Sequence, residues 1–183
     1  LGISRYPVME ALKRTEAEGF LRIVPQVGCI VTEPSPNEIS DFYSVFALIE
    51  GELAACAAER RLPEELDAFA AVSARLDRYI DEPHSPQESA SAYRKLNHEF
   101  HAQIHRMARS DIISRMSVKL WDRSDFYIAT VRGPQIFANR IRIAHDEHQA
   151  VQRAIVDGDV KAARRLMEIH IRATGQTVTE RRV

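Results

Sequence analysis

Residues 35–60 read SPNEISDFYSVFALIEGELAACAAER, and this stretch decides the fold. Ser35 and Glu38 have the spacing of a helix capping box, and Pro36 suits the first helical position. Apolar side chains then recur every three or four residues, at Ile39, Phe42, Phe46, Ile49 and Leu53. That period is typical of an amphipathic helix, and it predicts a helix over residues 36–60.

Similar helix signals recur further along the chain. Helix starts are indicated at Pro63, at Ser85-Pro86 and at Asp159, and a helix end is indicated at Gly158. The segments between these signals keep the helical period, without sustained alternation or a hairpin signature. The sequence therefore predicts a mainly α protein in which residues 36–178 form an antiparallel six-helix bundle.

Residues 1–34 follow a different pattern. A short amphipathic helix is predicted from Pro7 to Glu18 and is closed by Gly19. Two β-favouring runs, 20–24 and 29–32, follow it and predict a small hairpin. A helix followed by a hairpin matches the back half of a winged helix-turn-helix domain, whose three helices need about 60 residues. Because the sequence also lacks an initiator Met, we expect a fragment of a longer chain, with a partial winged helix at 1–34 and a helical domain at 35–183.

The composition is that of a soluble globular protein. Apolar residues make up 45% of the 183 residues and charged residues 28%, and no run approaches the roughly 18 apolar residues of a membrane-spanning helix. The net charge is -1, so any contact with nucleic acid has to be local. Cys29 and Cys56 lie far apart, which gives no sign of a disulfide framework and favours a cytoplasmic protein.

Two sets of residues resemble a known family. Residues 1–12, LGISRYPVMEAL, and residues 16–21, EAEGFL, resemble the recognition-helix signature of GntR-family bacterial transcription regulators. The FCD effector domain of the FadR subfamily is similar in the order and spacing of Leu48-Ile49-Glu50-Gly51, Phe100-His101, Glu147-His148, Gly158-Asp159 and His170. The resemblance implies a homodimer whose winged helix binds palindromic operator DNA. It also implies that the helical domain binds a small metabolite, usually a carboxylate, which alters the operator affinity.

The resemblance implies DNA contacts at the start of the first helix. The N-terminal part of a recognition helix faces the base edges, which places Ser4, Arg5 and Tyr6 at the groove. Arg5 can bind guanine O6 and N7 or hold a phosphate, and the sequence leaves both open. Met9 and Val27 stand where the family usually has an Arg and often has another basic residue. The missing charges are expected to weaken DNA binding and its salt dependence.

A metal site is also implied. In the metal-containing branch of FCD domains, an Asp and three His hold a divalent ion, and the matching residues here are Asn97, His101, His148 and His170. Three imidazoles and one oxygen donor suit zinc or nickel, with open positions for water or an effector carboxylate. Asn97 replaces the Asp with a neutral and weaker donor, which is expected to lower metal affinity. An inward-facing His is more often a hydrogen-bonded core residue than a ligand, so both interpretations stay open.

The effector pocket is expected beside this metal. Phe46 stands where many relatives carry an Arg near the ligand, so a carboxylate-binding group is missing there. Arg123, with Tyr127 one turn further on the same face, is the cation that would replace it. Phe46 also fits the apolar stripe of its helix, and the sequence leaves a core role and a pocket role open.

Two other functions compete with the metabolite-responsive regulator. Three His with open coordination positions also occur in hydrolytic zinc sites. However, Glu147 is about 100° around its helix from His148 and need not reach the metal, and Glu99 faces away from His101. No nucleophile elbow or phosphate loop is present, so no enzyme is expected. The uncharged Met9 and Val27 would also fit a sensing or dimerisation module that has lost its DNA affinity. Operator binding by the full-length chain separates that module from a regulator.

Overall fold

The computed structural model describes residues 4–82, 86–132 and 140–180 of the chain. Residues 1–3 of the quoted signature and Ser85 lie outside these ranges. The chain divides into two compact units, and the division falls between Ser35 and Pro36.

The first unit contains a helix and a hairpin. Helix α1 spans Arg5–Ala17, with Ser4 as its N-cap residue. The helix therefore starts two residues before the predicted Pro7, because proline is tolerated anywhere in a first turn, where N–H groups have no partner within the helix. Gly19 ends the helix in the left-handed region, at φ 76°, as the sequence predicts.

The hairpin follows directly. Strand β1 spans Leu21–Val24 and strand β2 spans Gly28–Val31, and the two pair antiparallel with Leu21 opposite Val31. The backbone N–H of Ile23 donates to Oε1 of Glu16 at 2.6 Å, which ties the hairpin to the preceding helix. The predicted helix and hairpin are thus both present in this unit.

The second unit is helical throughout its described residues. Its helices are α2 (Pro36–Arg60), α3 (Pro63–Asp81), α4 (Pro86–Ala108), α5 (Asp111–Tyr127), α6 (Ile141–Asp157) and α7 (Val160–Thr179). A π-helical turn, Ile128–Arg132, continues α5. The predicted fold class, six helices after a partial winged helix, is confirmed. Within the described ranges, every helix is too short or too polar to cross a membrane.

Helix α2 lies at the centre of the second unit. It packs against α4, α5 and α6, and most extensively against α7. The contact with α7 is close, because a Cβ atom built on Gly175 would lie 2.6 Å from Cβ of Tyr43. The absence of a side chain at Gly175 therefore lets α7 lie against α2.

Candidate metal centre

Three histidines from three helices converge inside the second unit. His101 comes from α4, His148 from α6 and His170 from α7, and their exposures are 1%, 0% and 4%. One ring nitrogen of each lies within 4.8 Å of the corresponding nitrogen of the other two. Nε2 of His148 lies 3.1 Å from Nε2 of His170. The structure therefore brings together the three histidines that the sequence predicts as ligands.

Helical spacing explains why these side chains face inward. His101 follows Phe100 and lies three residues before Ile104, both of which are fully buried. His148 lies three residues before the buried Val151, and its ring packs on Phe100 with 4.5 Å between centroids. The apolar surroundings remove water from the imidazoles, and this disfavours their charged forms.

Glu50 holds one of the three rings. This carboxylate is fully buried, and its Oε2 accepts a hydrogen bond from Nδ1 of His101 at 2.8 Å. Its Oε1 accepts from His105 at 2.9 Å, from Trp121 at 3.3 Å and from Ser117. Burial acts to raise the pKa of Glu50, but the hydrogen bonds from His101 and His105 outweigh it and hold that pKa well below its usual range. Glu50 is therefore an ionised carboxylate in the core.

Glu147 holds a second ring. Its Oε2 accepts a hydrogen bond from Nδ1 of His170 at 2.7 Å, and both of its oxygens accept from Nη2 of Arg140, at 2.8 and 3.1 Å. Burial raises the pKa of Glu147, but His170 and then Arg140 outweigh it and lower that pKa. Glu147 of α6 thus reaches a histidine on the neighbouring helix α7.

The protonation of the rings fits a metal ion. Because Nδ1 of His101 donates to Glu50, its Nε2 carries a lone pair, and this buried atom has no hydrogen-bond partner within the described part of the chain. Burial lowers the pKa of His101 to about 4 and also lowers the pKa of His148, so both rings are neutral at pH 7. Neutral imidazoles whose other nitrogen donates to a carboxylate are the usual form of metal-binding histidines.

The donor set also fits the predicted metals. Zinc binds imidazole nitrogen at about 2.0–2.1 Å, and nickel accepts the same ligands. Asn97, the fourth predicted ligand, lies half-buried on α4, one turn before His101. Its role as a ligand remains a prediction.

The predicted effector residues lie in and beside an aromatic cluster. Phe46 is 1% exposed and packs against Trp121, with 5.2 Å between ring centroids. Trp121 in turn contacts His101 at 4.5 Å, so one side chain separates Phe46 from the three histidines. Tyr127 is also buried, and the half-buried Arg123 lies over its ring at 5.9 Å. The structure therefore brings Phe46 close to the histidines and pairs Arg123 with Tyr127 on α5.

The predicted DNA-contacting residues are all exposed at the start of α1. Ser4 has extended backbone angles and makes no side-chain capping bond, and Arg5 is the first helical residue. Tyr6 is 75% exposed. These positions leave all three side chains accessible to a partner.

The sequence also matches a known family. Residues 41–173 match the model of the FCD domain. The chain belongs to the FCD domain family. The matched residues include the three histidines and both carboxylates, so the candidate metal centre lies inside the FCD domain.

Curated relatives and solved structures agree with this assignment. A regulator in the TAR-I ttuE-ttuC' intergenic region of Agrobacterium vitis is 43% identical over 54 residues, which is 30% of this chain and 32% of that protein. The transcriptional repressor GlaR of Escherichia coli is 25% identical over 90% of this chain and 75% of its own length. The structure of E. coli McbR/YncC has the same fold, with a TM-score of 0.68 and 19% identity over 94% of this chain and 78% of that chain. The resemblance to GntR-type regulators with an FCD domain is thus confirmed, and the named relatives support a transcription regulator.

Sequence reasoning assigned no role to Glu50 or Arg140 of the FCD domain. The apolar face that the sequence predicts for α2 includes Ile49. The face of α2 that is buried in the structure includes Tyr43, Phe46 and Glu50 instead. A charged residue on the buried face of a helix indicates that it has a buried partner. Glu50 follows Phe46 by four residues and so lies on the same helix face, which could have indicated such a partner. Arg140 had no such signal, because its contact with Glu147 depends on how α6 begins.

Proposed function

We propose that this chain is the sensing part, with part of the DNA-binding domain, of a transcription regulator whose operator affinity responds to a small carboxylate bound at a metal ion. The full-length protein would bind operator DNA as a homodimer, with Ser4, Arg5 and Tyr6 at the DNA. One observation carries the proposal. Three buried histidines point ring nitrogens at one another, and two of the rings are held by ionised carboxylates.

The residues have separable roles in this proposal. His101, His148 and His170 would hold zinc or nickel, with Asn97 as a candidate fourth ligand. Glu50 and Glu147 fix which nitrogen of His101 and of His170 carries the proton, and their charges offset that of a divalent ion. The bound ion would supply a Lewis acid with open positions for a carboxylate oxygen.

The chain also offers a covalent route from this site towards the DNA-binding unit. Helix α2 begins at Pro36, directly after the first unit, and contributes Glu50 to the ring of His101. Any ligand that shifts His101 therefore acts on a side chain of the helix that enters the sensing domain. Such a shift alters operator affinity only to the extent that the ligand binds one conformation more tightly than the other.

Metal binding is tested with two matched histidine variants. Trp121 is the one tryptophan in the sequence, and its ring centroid lies 4.5 Å from that of His101. Nickel bound by the three histidines is therefore expected to quench the fluorescence of Trp121. We expect about one equivalent of zinc or nickel by elemental mass spectrometry, lost in His148→Ala. His98→Ala is the control, because His98 is on α4 but its side chain is 38% exposed. Equal metal contents in both variants would contradict the proposal.

DNA binding is tested with a matched pair on α1. Arg5→Ala is expected to weaken binding of the full-length protein to its own promoter region by about tenfold or more, because one arginine contact to a base is worth about 1–3 kcal/mol. Lys13→Ala is the control, since Lys13 lies further along the helix beside Glu10 and is 64% exposed. A gel shift measures both variants. No binding by the wild-type protein at low salt would favour a module without DNA affinity.

A further inference from the structure

Arg140 is a buried cation that uses only part of its hydrogen-bonding capacity. Its side chain is 11% exposed, and its Nη2 donates to both oxygens of Glu147. Its Nη1 is buried and has no hydrogen-bond partner among residues 4–82, 86–132 and 140–180. A guanidinium has five N–H donors, and leaving a buried donor without an acceptor costs about 1–3 kcal/mol. A further acceptor at Nη1 would remove this cost.

This donor lies beside the three histidines. Glu147 connects Arg140 to His170, since one carboxylate accepts hydrogen bonds from both. Burial lowers the pKa of His148, and the nearby charge of Arg140 lowers it further. Through Glu147, the guanidinium is therefore connected to His170, one of the predicted metal ligands.

Helix α4 lines the same region with neutral polar groups. Tyr93 is 6% exposed, and burial raises its pKa, while the charge of Arg140 opposes this effect and that of Glu147 adds to it. Asn97 and His101 follow Tyr93 at intervals of four residues, so the three lie along one helix face. None of the three is anionic, so the negative charges near this face are those of Glu50 and Glu147, which Arg140 and a bound divalent ion would offset.

We propose that Arg140 binds the carboxylate group of the effector through its Nη1, beside the three histidines. This inference rests on the proposed function, because it names the residue that recognises the anion at that site. A planar guanidinium makes directed hydrogen bonds to carboxylate oxygens, and exclusion of water strengthens them. The ligand class is a small carboxylate whose anionic group reaches Arg140.

The position of Arg140 also explains how the anion would influence the metal centre. An effector carboxylate and Glu147 share one guanidinium, so effector binding weakens or redirects the hold of Arg140 on Glu147. Glu147 in turn fixes the ring of His170. Arg140 is therefore both the contact for the anion and the first member of a chain of contacts that ends at a predicted metal ligand.

The experiment titrates succinate into the zinc-loaded full-length protein by calorimetry, with chloride at the same ionic strength as the reference. Arg140→Gln is expected to lower succinate affinity about tenfold or more, as the loss of a charged hydrogen bond worth about 1.5–3 kcal/mol predicts. Its zinc content is measured in parallel by elemental mass spectrometry, because Arg140 also holds Glu147 beside His170, and the succinate affinity is compared at equal zinc occupancy. Arg142→Gln is the matched control, because Arg142 is two residues away but its side chain is 69% exposed. Arg123→Gln tests the cation predicted from the sequence.

Two further variants keep the result interpretable. Arg140→Lys retains the positive charge towards Glu147 but lacks the second amino group, so it is expected to lose succinate affinity even if Arg140→Gln does not fold. Asn97→Asp adds a carboxylate one turn from His101 and is expected to lower succinate affinity without loss of zinc.

The outcomes separate this inference from the proposed function. Unchanged succinate affinity in folded Arg140→Gln or in Arg140→Lys overturns the inference, as does a loss in Arg123→Gln alone. A wild-type protein that ignores succinate also overturns it. A protein that binds no zinc, but whose succinate binding depends on Arg140, retains the inference and removes the metal from the proposed function.

Discussion

At the scale of single residues, Glu50 links several side chains at the candidate metal centre. Four side chains from α4 and α5 donate to its two oxygens. Glu50→Gln keeps the shape of the side chain but removes its negative charge. It also places an amide NH2 group opposite side chains that themselves donate hydrogen bonds. Breaking a buried charged network costs about 3–5 kcal/mol, so we expect a loss of about 3 kcal/mol in the free energy of unfolding. Urea denaturation of the metal-free protein measures this loss.

The control for Glu50→Gln lies two residues away. Glu52 pairs with Arg164, but their side chains are 42% and 47% exposed, and exposed pairs contribute about 0–1 kcal/mol. Glu52→Gln is therefore expected to change stability by less than about 1 kcal/mol. Similar losses in the two variants would mean that the buried network around Glu50 does not stabilise the fold.

The residues of the metal centre were predictable only in part. His101, His148 and His170 stood out because their types and order resemble a family pattern, and the structure brings them together. The prediction for Glu147 considered only its own helix, on which adjacent side chains point about 100° apart. Its actual contact is with His170 on another helix, and the pattern of one helix carries no information about the packing of a second.

At the scale of helices, the close contact of α2 and α7 depends on Gly175. Replacing a helical glycine by alanine normally stabilises a helix by about 1 kcal/mol. Here the new Cβ would lie 2.6 Å from Cβ and Cγ of Tyr43, whose ring is 2% exposed and whose hydroxyl pairs with Ser124 at 2.9 Å. We expect Gly175→Ala to destabilise the protein by about 1–3 kcal/mol, since overpacking forces the helices apart. Thermal unfolding measures the effect.

Gly51 offers a comparison at the same contact between α2 and α7. A Cβ there would lie 2.7 Å from Cγ of Glu168, which belongs to a flexible side chain, and 3.2 Å from the backbone oxygen of Arg164. Gly51→Ala is thus expected to destabilise less than Gly175→Ala. A melting temperature raised by Gly175→Ala would show that α2 and α7 separate without cost.

The start of α3 gives a prediction that depends on pH. Oε2 of Glu65 accepts from the backbone N–H of Leu62 at 2.8 Å and Oε1 accepts from Arg109 at 2.7 Å. The hydrogen bond from Leu62, with that from Arg109, outweighs burial and lowers the pKa of Glu65. A carboxylate with a lowered pKa stabilises the fold above its unfolded pKa of about 4.3, and this contribution is lost as pH falls through the folded pKa.

Glu65→Gln is therefore expected to destabilise the protein by about 1 kcal/mol at pH 7, and the difference is expected to shrink as the pH falls from about 4.3 through the lower folded pKa. Glu64→Gln is the control, because Glu64 is in the same first turn but is exposed. Urea denaturation at pH 7 and at a series of pH values extending well below about 4.3 tests both variants. A difference that persists unchanged at the lower pH would assign the effect of Glu65 to packing and not to its charge.

Most helices were predictable because their ends carry local signals. Pro36 and Pro63 begin α2 and α3, and Gly158 ends α6 in the left-handed region, at φ 73°. The π-helical turn after α5 was not predicted, because its widened hydrogen bonding leaves no mark in the apolar period. Local chemistry therefore specifies where helices start and stop, but not how they deviate from regular geometry.

At the level of the full chain, the candidate metal centre draws on most of the helical unit. Its histidines lie on α4, α6 and α7, and Glu50 adds α2, so helices far apart in sequence meet at one point. The six-helix fold followed from repeated apolar periods and caps. Which helices become neighbours depends on close contacts such as that of Gly175 with Tyr43, and a helical period does not encode them.

Metal binding should therefore stabilise the unit as a whole. A ligand that binds only the folded state adds about 2.7 kcal/mol when its free concentration is one hundred times its Kd. For a chain of this size, that corresponds to a rise of about 5–10 °C in melting temperature. We expect nickel or zinc to produce this rise, and magnesium, which prefers oxygen ligands, to produce none. His148→Ala is expected to abolish the rise, whereas His98→Ala should retain it. An equal rise in both variants would place the bound ion outside the three histidines, because a surface site would not depend on the buried ring of α6.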